Sequence, residues 1–73
     1  MPTAIYDPDR VAATVRRLRA EQGMHQTELA KRAGLSRRTV VAIEAGGRAR
    51  DDSYGKVAAA LGVPLAELLG EEN

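Results

Sequence analysis

Arg37 and Arg38 stand side by side directly after Ser36, at the start of the run RRTVVAIEAG, and a second pair, Arg48 and Arg50, follows the step Gly46-Gly47. A guanidinium is permanently charged and holds its donors in a planar fork, which matches a phosphate or the O6/N7 edge of guanine. Groups for binding are therefore well supplied. Groups for catalysis are not: the chain has one histidine, His25, and no cysteine, so no cluster of acid, base and nucleophile is visible. Without cysteine there can be no disulfide and no thiolate metal site. We expect neither enzyme activity nor a metal or cofactor.

To present Arg37 and Arg38, the chain needs a short helix that begins at them. The segment QTELAKRAGLSRRTVVAIEAG, Gln26 to Gly46, reads as two helices joined by a glycine turn. Leu29, Ala30 and Ala33 form the inward stripe of a helix expected over about residues 26 to 33, which Gly34 stops in the left-handed conformation. Ser36 is the expected cap of the next helix, over about residues 37 to 45, with Val40 and Ile43 inward and Gly46 as its stop. That leaves Arg37, Arg38, Val41 and Ala42 on or near the outer face. Arginine can hold guanine by two parallel hydrogen bonds, and valine can touch a thymine methyl, so Arg37 and Arg38 are the expected base readers. The other reading gives both arginines to phosphates. Thr39 can bond a phosphate or its own helix backbone.

Around this unit the periodicity predicts three more helices. Asp7-Pro8 is a cap followed by proline at the first helical position, and Val11, Val15 and Leu18 form a stripe that ends at Gly23. Tyr6 is placed to staple onto Val11. Arg19 continues that stripe, and Glu44 follows Val40 by four residues beside Ile43. Each is a charge near an apolar face; the alternative for Arg19 is to snorkel outward. Beyond the basic loop of Arg48 and Arg50, Asp51 and Asp52 are candidate caps for a helix with Tyr54, Val57, Ala58 and Leu61 inward, ended by Gly62. Pro64 then opens a short helix with Leu65, Leu68 and Leu69 on one side.

The series Gln26, Leu29-Ala30, Gly34, Ser36, Ile43-Glu44 and Gly46, continued by Ala58, Leu61-Gly62-Val63 and Leu68-Leu69, resembles the Cro/C1-type (Xre) helix-turn-helix family over roughly residues 9 to 70. The resemblance implies an all-α fold, a compact five-helix lambda-repressor-like domain whose helix-turn-helix puts the start of its second helix against base edges in the major groove of double-stranded DNA. It further implies a phosphate contact at Gln26, a base contact of apolar kind at Ala42, and a buried salt bridge between Arg19 and Glu44. Two-fold dimers of such proteins meet through the C-terminal helices, which points to Leu65 and Leu69 here. Two departures stand out. His25 replaces the usual serine or threonine, weakening the capping box with Glu28, and Asp51-Asp52 stand where a proline is common.

Length and charge agree with a binding module. At 73 residues the chain is one small domain with little interior; we divide it into an arm (1–6), the domain (7–70) and a tail (71–73). Residues 10 to 50 hold ten of the eleven Lys/Arg against three glutamates, while both flanks are acidic. A basic centre suits phosphate neutralisation, with Arg48 and Arg50 aimed at the DNA backbone; the bland alternative is a solvated helical surface. The arm has no Lys or Arg and is a poor minor-groove reader. No apolar run approaches the roughly 20 residues of a membrane span, and no signal-peptide pattern is present, so a cytoplasmic location is expected. These features predict a transcriptional regulator, most simply a dimeric repressor on a palindromic operator. The competing reading is an antitoxin-type module that binds a toxin and its own promoter.

Overall fold

The Asp7 carboxylate accepts the backbone N–H of Asp9 at 2.9 Å, and Pro8 takes the first helical position, where its missing N–H costs no bond. From there the computed structural model, which describes residues 7–70, forms α1 (Pro8–Glu21), α2 (Gln26–Ala33), α3 (Arg37–Glu44), α4 (Asp51–Leu61) and α5 (Leu65–Leu69). No strand occurs among the described residues. The arm 1–6, the staple of Tyr6 on Val11 and the tail 71–73 lie outside the described residues.

The turn between α2 and α3 is built as its residue types require. Gly34 adopts φ 71°, ending α2, and the N–H of Leu35 returns to the Ala30 carbonyl at 2.9 Å. Ser36 then caps α3, its Oγ accepting the N–H of Thr39 at 3.2 Å. At the other end α3 stops one residue earlier than its apolar period suggests, with Ala45 as cap and Gly46 at φ 90°. A Cβ on Gly46 would stand 2.5 Å from Asp9 Oδ1. The left-handed backbone conformation favours glycine there, while the exposed Asp9 carboxylate could swing aside from a larger residue.

α3 packs against α1 and α2, α4 against α2 and α5, and α5 returns to α1. Val11, Val15, Leu18, Leu29, Val40, Ile43, Val57, Leu61 and Leu68 fill the interior with Met24 and Tyr54. Burying each large side chain contributes about 1.5–3 kcal/mol. A domain this small keeps a net stability of only about 5–15 kcal/mol, so no core position is expendable.

Three terminal details differ from expectation. α4 is capped by Arg50, without a side-chain bond, and Asp51 is its first residue; the Arg50 carbonyl already accepts the N–H groups of Ser53 and Tyr54 at 3.0 and 3.2 Å, so the helix opens before either aspartate could cap it. Pro64 likewise is the cap of α5 and not its first residue. Leu69, expected at a dimer surface, is only 8% exposed, whereas Leu65 is 39% exposed. Because α5 lies against both α1 and α4, the C-terminal end of its leucine stripe is consumed by the domain's own core.

One polar group lies inside this apolar frame. Glu44 is 5% exposed, and its carboxylate takes a two-pronged contact from Arg19: Nε to Oε2 at 2.7 Å and Nη2 to Oε1 at 3.0 Å. Arg19 Nη1 also donates to the Met24 carbonyl at 2.8 Å, and Gln26 Nε2 donates to Glu44 Oε1 at 3.1 Å. The hydrogen bond to Glu44, assisted by charge attraction and opposed by burial, holds the Arg19 guanidinium above its usual pKa range. A base whose pKa rises on folding stabilises the fold at every pH below its unfolded value, so this contribution persists unchanged through neutral pH.

Removing one partner strands the other, a buried carboxylate in the case of Glu44 and a part-buried guanidinium in the case of Arg19. Glu44→Ala should cost roughly 3–5 kcal/mol, whereas Arg19→Met combined with Glu44→Leu should cost far less than the two single losses together. Urea melts of the two single variants and the double provide the cycle; strictly additive losses would show that the pair contributes nothing as a pair.

Candidate nucleic-acid interface

Several arginines of the basic central segment have partners within the molecule. Arg17 pairs with Glu21 at 3.1 Å and Arg32 with Glu28 at 2.8 Å, both one helical turn apart. Arg19 is held by Glu44, and Arg16 Nη1 donates to the Glu44 carbonyl at the end of α3. Arg10 lies across the C-terminus of α5, where a Cβ on Gly70 would meet its Nε and Cζ at 3.1 Å. The uniform basic centre of the sequence is thus divided. Among the described residues, Arg37, Arg38, Arg48 and Arg50 have no ion pair or hydrogen bond from their side chains, as is also true of Arg10, Lys31 and Lys56.

Those four arginines surround the outer face of α3. Arg38 shares an open depression with Thr39, Ala42, Arg48, Arg50 and Ser53, between α3 and the start of α4. Arg37, one residue earlier and so about 100° around the helix, opens onto a different depression, with His25, Gln26 and Thr27 at the start of α2. Val41 and Ala42 are exposed one turn further along. The face therefore begins with two diverging guanidiniums and continues as a small apolar surface. Such a face suits base edges and thymine methyls better than open water.

The groups at its margin suit phosphates. His25 makes no side-chain cap bond, and the first N–H returned within α2 is that of Leu29, to the His25 carbonyl. The N–H groups of Gln26, Thr27 and Glu28 consequently have no acceptor among the described residues, at the positive end of a helix dipole. Gln26 itself has one amide hydrogen directed to Glu44, which restrains its plane and leaves its other donor without an acceptor among the described residues. Thr39 does not bond its helix carbonyls as one reading allowed: its Oγ1 lies 3.0 Å from Ser36 Oγ, within the cap, at the rim of the Arg38 depression.

Two residues of this region carry more than their sequence positions disclosed. Arg16, counted only as a charge, reaches the last carbonyl of α3, where a cation favours the helix dipole; its spacing of three from Arg19 places both on one side of α1. Tyr54, read only as apolar, uses its hydroxyl to accept the N–H of Ala49, at 3.1 Å, in the basic loop. No sequence pattern announces that bond, because it joins a helix side chain to loop backbone.

With the geometry in place, the likeness to known proteins is specific. The family described as Helix-turn-helix matches residues 15–68. The fold is similar to that of a hypothetical transcription factor, NHTF, from Neisseria, with 34% identity and a TM-score of 0.81 over 94% of this chain and 85% of that one. It is also similar to the restriction-modification controller protein C.AhdI from Aeromonas hydrophila, with 32% identity and a TM-score of 0.79 over 84% of this chain and 94% of that one. HEPD from Streptomyces albus, solved with 2-hydroxyethylphosphonate and Fe(II), contains a segment similar to 90% of this chain at 36% identity and a TM-score of 0.76, but that segment is 15% of the enzyme. No group of three His, Cys, Asp or Glu that could hold a metal occurs among the described residues here. No curated protein matches the chain.

If Arg48 and Arg50 neutralise one phosphate each, replacing either by alanine should lower the slope of log affinity against log salt by about 1, equally on any duplex sequence. Binding to random-sequence duplex at several salt concentrations measures this, and a slope equal to the parent's would remove that arginine from the interface.

Proposed function

We propose that this chain, which belongs to the Cro/C1-type helix-turn-helix family, regulates transcription by sequence-specific binding of double-stranded DNA, as a repressor that reads a palindromic operator as a dimer. The observation that carries this reading is the outer face of α3, where Arg37 and Arg38 stand unpaired among the described residues and lead onto exposed Val41 and Ala42. In the docking mode of such helices the N-terminal residues meet base edges. Arg37 and Arg38 then bond guanine O6 and N7, and Val41 and Ala42 make apolar contact with thymine methyls. Gln26 with the open N–H groups of α2, Thr39, and the loop arginines Arg48 and Arg50 hold the phosphates on either side.

Two copies solve a problem of scale. A single α3 offers only a few base contacts, whereas a two-fold pair would read half-sites about 34 Å apart. Leu65 is the exposed leucine available for such a pairing, beside half-buried Val63, with Leu69 behind it in the core. So small an apolar patch supports a dimer that dissociates on dilution and is stabilised by DNA.

Selection of bound duplexes from a random pool at stated salt tests specificity, symmetry and spacing together; a consensus lacking two-fold symmetry would count against the dimer. On the selected site, Arg37→Ala and Arg38→Ala should each cost roughly 1–3 kcal/mol and relax preference at one position per half-site. Base preferences unchanged in both variants would mean that these arginines read no bases.

A further inference from the structure

The loop that carries Arg48 and Arg50 is extended at its end, with Arg50 at φ −70° and ψ 153°, and it makes little use of its own backbone. Gly47 N–H still belongs to the end of α3, bonding the Ala42 carbonyl at 2.9 Å, and the next helical bonds are those returning to Arg50. Between them, among the described residues, the N–H of Ala49 alone finds an acceptor, and that acceptor is the hydroxyl of Tyr54. The Tyr54 side chain is among the largest fully buried ones, at 1% exposure, and Ala49 packs against the same core. The two arginines flank the tethered residue and open onto one depression with Arg38.

We propose that Tyr54 is a positioning residue for DNA binding: its hydroxyl, by holding Ala49, sets Arg48 and Arg50 beside the recognition helix before DNA arrives. The proposal rests on the DNA-binding reading above. Long charged side chains on a free loop lose conformational entropy when they settle on phosphates, and a loop already tied to the core loses less. The ring is needed for packing, but only the oxygen performs this task. A phenylalanine would keep the ring in the core and leave the Ala49 N–H without its acceptor.

Tyr54→Phe separates the two roles. Loss of the neutral hydrogen bond to Ala49 is worth a factor of about three to ten. The variant should retain a cooperative urea transition, should lose hydrogen-exchange protection at Ala49 relative to the amides of α2, and should bind the selected site and random duplex about three- to tenfold more weakly than the parent. In an Arg48→Ala, Arg50→Ala background the same change should make no further difference to affinity. Where Tyr54→Phe lowers the folded fraction, sucrose restores it and binding is compared with both proteins folded. Undiminished affinity of Tyr54→Phe, or an equal loss in the background without the two arginines, would overturn the positioning role. A parent protein that binds no duplex would instead overturn the DNA-binding reading, and this role with it, whatever the exchange at Ala49.

Discussion

A carboxylate closed off from water costs several kcal/mol unless charge and hydrogen bonds answer it, and the answer given to Glu44 fixes how three helices meet. Arg19 comes from α1, Gln26 from the first position of α2, and Glu44 from the last position of α3. Their separations in the chain are large, so none of these contacts can form until the helices are already in register. Apolar packing supplies most of the stability, but it is tolerant of small slides between helices. A forked ion pair with an amide on one of its oxygens is much less tolerant.

The same network reaches the surface. Arg16 holds the final carbonyl of α3, while Gln26 is oriented by Glu44 at the margin of the face that α3 exposes. The interior has no buried side-chain polar atom without a hydrogen-bond partner among the described residues. The outside is different. Arg37 and Arg38 adjoin each other without a countercharge among the described residues, an arrangement that contributes nothing to folding and mildly opposes it. A charge in an exposed i, i+4 pair, such as Arg17 with Glu21, is partly neutralised by its neighbour; charges left open around one helix meet phosphates and bases without that competition.

The loop after α3 shows how a small domain can order a segment that has no regular structure. Past Gly47 and before the first turn of α4, only the Ala49 N–H is bonded among the described residues, and such sparse bonding is the usual condition of a mobile connection. One tether to a buried phenol, with Ala49 packed on the core, restrains it at its middle.

Local pattern was sufficient for the five helices, for the Gly34 turn and the Ser36 cap, and for the exposure of Arg37, Arg38, Val41 and Ala42, because periodicity and capping are properties of neighbouring residues. The pairing of Arg19 with Glu44 came from family likeness, since two charges on separate apolar stripes state a need for a partner without naming it. Other features depended on how the helices lie together. Leu69 and Leu65 sit on one stripe of α5, yet the angle at which α5 crosses α1 and α4 buries the first and exposes the second. Arg10, Arg16 and Arg38 are alike as residues, and only their surroundings in space direct one to α5, one to the end of α3 and one to open solvent. The hydroxyl of Tyr54 is silent in the sequence for the same reason: a hydrogen bond is set by distance and direction between atoms, and those exist only once the chain has packed.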